Sequence, residues 1–268
     1  EKRNFRLYVQ RLQSNEDVLY VRLFDILDKI EEYDEDVVLE KMGDIPKSQF
    51  VNIKRHLYTQ VLKSLRLIFE NIESIKVREQ IDFSHILYSK GLYLQAFKLL
   101  ERVKEMLPEG GHDLLRLEII EFQKFIEERH ITRSRKKSGK VQTLLIESEN
   151  QEARVSNLIL LSNLKIKIHG WYIETGHVRD EKDHFQLREY FESELRKVRT
   201  ANLSVTEEIY LQQCYMWYYY IMLDFEKCHH HAELWVKAFD ENPSHMREDP
   251  VLYMRGLSYE LTSLYSLR

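Results

Sequence analysis

The chain has 268 residues and is rich in aromatics, with 16 Tyr, 12 Phe and 3 Trp against only 8 Gly and 4 Pro. Gly and Pro together normally make up roughly 12% of a protein, and their scarcity counts against sandwiches and doubly wound sheets, which turn every few residues. Forty Lys and Arg against 44 Asp and Glu leave a net charge of -4, with no global attraction to nucleic acid or to an anionic membrane.

No run approaches the roughly eighteen apolar residues of a membrane span, and Glu1 to Arg6 do not lead into the apolar core of a signal peptide. Cys214 and Cys228 are too few for a disulfide framework, as in a reducing compartment. The expectation is a soluble, cytoplasmic, all-α protein without a cofactor and without a membrane partner.

In chain order, Leu19, Leu23, Ile26, Leu27 and Ile30 fall on one side of an amphipathic helix over 17–32, with Asp17 near its start. A short helix follows from Asp34 to Met42 and stops at Gly43 and Pro46. From Lys47 to about Glu70, Phe50, Ile53, Leu57, Val61, Leu65 and Ile68 keep one face, so another element must cover it. The short helix, the turn and the basic residues Lys47, Asn52, Lys54, Arg55 and His56 mimic a helix-turn-helix, although the second helix runs on too far.

Between 77 and 129, two helical patterns meet at Gly91, and a third begins after Pro108, Gly110 and Gly111. Phe83, Leu87, Gly91, Tyr93, Ala96, Leu100, Val103 and Pro108 follow one another at a spacing that resembles the tetratricopeptide repeat. Ser84 takes the small-residue position of the first helix, while Leu87 stands where the family favours an aromatic.

The resemblance is looser elsewhere. Residues 153–176 and 184–198 form a candidate pair around Trp171 and Tyr190; 205–242 form another, with Ala232 as the small residue, Pro243 as the stop and no Gly at the turn. Leu252, Gly256 and Tyr259 fit a first repeat helix after Pro250. The resemblance implies a right-handed α-α superhelix, a solenoid of antiparallel helix pairs with a concave side that holds a peptide or partner protein. The expected organisation is an N-terminal helical region over 1–75 and a repeat region over 76–268, in one continuous solenoid with a hinge near the basic segment.

The resemblance places Arg78, His85, Tyr88 and Ser89 on the concave surface of the well-matched unit, where they could grip a carboxylate or a peptide backbone; against this, Arg78 is solvated and His85 and Tyr88 pack on the next repeat. The run from Tyr215 to Tyr220 puts aromatics all round a helix, more than one buried face absorbs, so Trp217 and Tyr219 are candidate interface anchors. A thick core between stacked helices is the plainer account, and a homo-oligomer through this helix stays open.

Cys228, His229, His230 and His231 look like metal ligands, but adjacent helical positions point about 100° apart and cannot face one ion. His177, Asp180, Glu181 and His184 lack a metal spacing. No metal site is expected.

The segment holding Arg129, Arg133, Arg135, Lys136, Lys137 and Lys140 is strongly basic, with no acid until Glu147. It reads as a solvated linker, or as a nucleic-acid-binding loop; the absence of stacking aromatics favours the linker. No phosphate loop, nucleophile elbow or metalloprotease helix is present, which counts against catalysis. The leading expectation is a non-catalytic scaffold for a protein or peptide, and the alternative is a nucleic-acid-binding regulator using the N-terminal helices and the basic segment.

Overall fold

A computed structural model describes residues 1–12, 19–107, 112–134 and 140–267, with side chains omitted at 12, 130–134 and 140. Every regular element among the described residues is an α-helix: α1 (Lys2–Leu12), α2 (Leu19–Leu27), α3 (Glu35–Met42), α4 (Lys47–Ile68), α5 (Glu73–Ser89), α6 (Tyr93–Met106), α7 (Asp113–Ser134), α8 (Lys140–Thr175), α9 (Glu181–Leu195), α10 (Val205–Ile221), α11 (Phe225–Asp240), α12 (Pro243–Glu248) and α13 (Pro250–Ser266). The chain divides into two compact units, Glu1–Glu79 and Gln80–Arg268, with the break inside α5.

In the first unit, Phe5 and Val9 of α1, Tyr20 and Leu23 of α2, Val38 and Met42 of α3, and Phe50, Ile53 and Leu57 of α4 form one core. The apolar face of α4 is thus covered by three shorter helices. Asp34 caps α3 by accepting from the Asp36 and Val37 amides, and Gly43 ends it at φ 84.

The second unit is organised around α8. This 36-residue helix is about 54 Å long at 1.5 Å per residue, and its two halves have different neighbours. Toward its start, Ser148 bonds Glu121 and Gln151 bonds Asp113, both on α7. Farther along, Asn157 meets Glu207, Cys214 donates to the Leu161 carbonyl, and His169 and Tyr172 meet Trp217. The residue numbers on α8 and α10 rise together through these contacts, so the two helices run parallel, with α9 between them in the chain.

Two helix hairpins in this unit turn in the same way. After α5, Gly91 has φ 76, its amide donates to the Tyr88 carbonyl and the Leu92 amide to that of Leu87. After α10, Leu223 has φ 60, its amide donates to the Tyr220 carbonyl and the Asp224 amide to that of Tyr219. This is one helix-ending motif with a left-handed residue at its centre. Counted from that residue, positions five, nine, twelve and sixteen are buried in both hairpins: Ala96, Leu100 and Val103 of α6 with Leu107 just past its end, and Cys228, Ala232, Trp235 and Phe239 of α11. The turn expected to lack its Gly keeps the geometry with a leucine.

The helix α13 closes on α11, where Gly256 lets the two approach: a Cβ there would lie 3.3 Å from Trp235 and from Val236. The main core gathers buried side chains from α8 to α11, with Leu252, Tyr253 and Tyr259 of α13 packed against it.

Candidate functional site

The sequence-predicted residues do not assemble into one site. On α5, Arg78, His85 and Ser89 are exposed and Tyr88 is half-buried. The His85 ring stacks on Phe122 of α7 at 4.0 Å, and Tyr88 lies 5.1 Å from Tyr93 and 5.4 Å from Phe125. Ser89 donates to the Ile86 carbonyl of its own helix. The aromatic pair therefore joins α5 to its neighbours, while Arg78 faces solvent.

Trp217 and Tyr219 diverge. Trp217, expected at a contact surface, turns inward instead: it is 8% exposed, with His169, Tyr172 and Tyr259 around its ring. Tyr219 stays half-buried, with its ring parallel to that of His231 at 5.4 Å and Lys227 5.1 Å above its face. The aromatic run fits on one helix because three elements share it: α8 takes Trp217 and Tyr220, α9 takes Tyr218 through Phe191, and α11 takes Tyr215 and Tyr219 through His231.

The histidines following Cys228 separate as helical geometry requires. His229 lies 3.1 Å from the Ser263 hydroxyl, and His231 donates from Nδ1 to Gln212 at 2.6 Å. Burial, and then the neighbouring His230, push the His231 imidazole down to about 4, so it is neutral at ordinary pH. Burial pushes the Cys214 and Cys228 thiols up to about 12, which leaves both protonated and unreactive. Of the second cluster, Asp180 caps α9 and His177 donates to the Tyr220 carbonyl. Among the described residues no group of three or more such side chains is arranged to hold a metal ion.

For the nucleic-acid alternative, Arg135, Lys136 and Lys137 lie outside the described residues, as do the side chains of Arg133 and Lys140. In the helix-turn-helix candidate, Phe50, Ile53 and Leu57 are core, and Lys54 is engaged by Glu35 and by the Phe50 ring at 4.9 Å. The face of α4 that would enter a groove is partly committed to α3.

The concave feature that stands out is one the sequence did not announce. A cleft of about 620 Å³ opens along the first half of α8, lined there by Thr143, Glu147, Asn150, Gln151, Arg154 and Asn157. Arg116 of α7 forms one side; Arg199, Ala201 and Asn202, in the connection from α9 to α10, form the other, with Glu207 of α10 below. Thr143, Glu147, Asn150, Arg154 and Asn157 recur at three- and four-residue steps, which puts them on one helix face. The cleft floor is buried and tied to its neighbours: Gln151 donates to the carbonyl and side chain of Asp113, and Asn157 to Glu207 and to the Arg199 carbonyl.

Comparison of the chain with models of known families, with curated proteins and with solved structures finds no match in any of the three. The cleft has to be read from its own chemistry. Its two acids are occupied: Lys104 lies 2.7 Å from Glu147, and Glu207 accepts from Asn157 and from the Ser204 amide. Arg116 donates from one nitrogen to the Leu107 carbonyl. Arg154 and Arg199 are exposed, and their guanidinium groups bond no other described residue. What the cleft presents is unneutralised guanidinium among neutral amides, a hydroxyl and the small apolar patches of Ile146, Ala153 and Ala201, with no aromatic side chain in its lining. None of Arg116, Arg154 and Arg199 was legible as a site residue, because they lie 38 and 45 positions apart on separate elements.

Proposed function

We propose that this protein is a non-catalytic scaffold whose stacked helix pairs, similar to a tetratricopeptide array, present a concave surface to a protein or peptide. The observation that carries the reading is the shared construction of the α5–α6 and α10–α11 hairpins, which have the same turn and the same four buried positions. The parallel course of α8 and α10 supports it, because first helices of successive pairs in such an array run side by side in one direction. A right-handed superhelical stack of pairs with a groove on one side is the arrangement these features favour. On this reading the cleft along α8 is part of that groove.

The rival reading is a nucleic-acid-binding regulator. Salt does not separate the two, because a cleft lined by arginines makes peptide binding salt-sensitive as well. Nuclease does. Affinity capture of the tagged chain from its native lysate, with and without nuclease, is expected to return the same co-purifying proteins in both arms. Loss of every partner on nuclease treatment would overturn the scaffold reading.

A further inference from the structure

The cleft along α8 also carries a statement about its occupant. From Thr143 to Asn157 its α8 wall advances fourteen residues, about 21 Å at 1.5 Å per residue. An extended chain advances about 3.3 Å per residue, so this wall matches roughly six residues of peptide. A volume of about 620 Å³ falls within the ordinary range for ligand clefts.

Charge decides what kind of peptide. Of the five charged residues in the lining, Glu147 is neutralised by Lys104 and Glu207 is saturated by Asn157 and the Ser204 amide. The three arginines keep unused donors, and they stand on three walls: Arg116 on α7, Arg154 on α8 and Arg199 before α10. A guanidinium presents planar paired donors that match a carboxylate, and binding one costs little desolvation when the group is already at the surface. The lining offers no aromatic platform for a base, and Ile146 is its one large aliphatic side chain.

We infer that the cleft between α7, α8 and the α9–α10 connection binds an extended acidic peptide segment, with Arg116, Arg154 and Arg199 pairing its carboxylates and Asn150 and Asn202 bonding its backbone. This deepens the scaffold reading and rests on it. Arg154 and Arg199 give affinity and charge selectivity; the bonded amides beneath them keep the walls at a fixed separation.

The test uses the full chain and fluorescein-labelled hexaglutamate, hexaglutamine and hexalysine peptides, followed by anisotropy in 50 mM salt. Hexaglutamate is expected to bind at least tenfold more tightly than either control. The Arg154→Ala/Arg199→Ala variant is expected to lose at least tenfold of that affinity, while Arg247→Ala, on α12, keeps it. All variants should unfold at the wild-type temperature, because the three side chains are exposed. Equal binding of hexaglutamate and hexaglutamine, or full affinity in the double variant, overturns the inference. Inorganic pyrophosphate and a thymidine oligonucleotide are run beside the peptides, and binding of either through Arg154 and Arg199 without hexaglutamate binding overturns it in favour of a small anion or nucleic acid. Lysate capture with the double variant keeps the two readings apart: nuclease-resistant partners that stay bound would leave the scaffold standing and remove the acidic peptide.

Discussion

Asn157 and Glu207, fifty residues apart and each 3% exposed, hold one another across α8 and α10, with the Asn157 amide nitrogen 2.7 Å from the carboxylate. The same nitrogen donates to the Arg199 carbonyl at 3.0 Å, and the amide oxygen accepts from the Arg199 backbone at 2.8 Å. Glu207 completes a capping box with Ser204 at the start of α10. One asparagine therefore ties a helix, a connection and a helix start together beneath the cleft.

Asn157→Ala is expected to be strongly destabilising. It leaves a buried carboxylate short of a donor and strips the Arg199 backbone of both its partners, at a cost of roughly 2–4 kcal/mol. Urea unfolding checks this; a loss below about 1 kcal/mol would mean that water replaces the amide. Leu161, one turn on in the apolar core, should cost as much on truncation to Ala for a different reason, a cavity.

Leu223→Gly should stabilise. A leucine at φ 60 pays about 1–2 kcal/mol for a left-handed backbone, and its side chain is 49% exposed, so truncation loses only part of its burial. Against this stands the extra freedom glycine gives the unfolded chain. The net gain is expected at about 0.5 kcal/mol, read as a higher urea midpoint with unchanged slope. At Gly91, whose φ is 76, the reverse exchange to Leu should destabilise by about 1 kcal/mol.

Gly256 separates a tolerated substitution from a damaging one. Its missing Cβ would sit 3.3 Å from Trp235 and Val236, a gap that a few tenths of an ångström of movement accommodates. Gly256→Ala should be near neutral, since better helix propensity, about 1 kcal/mol, offsets the crowding. Gly256→Leu cannot be accommodated in the same way and should cost about 2 kcal/mol or more by prising α13 from α11. Thermal melts of the two variants provide the comparison.

His231 predicts a pH dependence. Its folded value, near 4, lies below the unfolded value near 6.5, so the unfolded chain binds the extra proton between these limits. The stabilisation is fully present above pH 6.5 and is lost as pH falls toward 4. Gln212, Tyr215 and Tyr219 face the ring from α10, and His230 opposes its protonation from α11. Allowing for the solvent that reaches the imidazole, the loss is about 1 kcal/mol. The measurement is the slope of stability against pH from 4 to 6.5, which should be shallower in His231→Gln.

Helices with clear local signals were legible: α3 runs over Glu35–Met42, close to the span from Asp34 to Met42 that Gly43 and Pro46 were expected to end, and α4 over Lys47–Ile68, where Phe50, Ile53 and Leu57 placed it. The α10–α11 hairpin was found from Ala232 and Pro243, even without its Gly. Two things were hidden. The start of α8 at Lys140 was obscured because Ser148 and Gln151, which are buried against α7, are polar, so after Leu144 the buried stripe turns apolar again only at Val155. The cleft arginines were invisible because nothing local marks which guanidinium groups three separate elements will bring to one cleft. Trp217 was misleading for a related reason: an aromatic run reads as surplus until three neighbouring helices are there to share it.

The unbroken course of α8 has a consequence for how the second unit comes apart. An array whose repeats touch only their neighbours frays from its ends, one pair after another. Here a single helix is bonded to α7 through Ser148 and Gln151 and to α10 through Asn157 and Leu161. Melting either flank strips one half of that spine, and a half-supported helix in water is marginal. The two flanks should therefore exchange their backbone amide hydrogens as one cooperative block, with α8 the slowest of all.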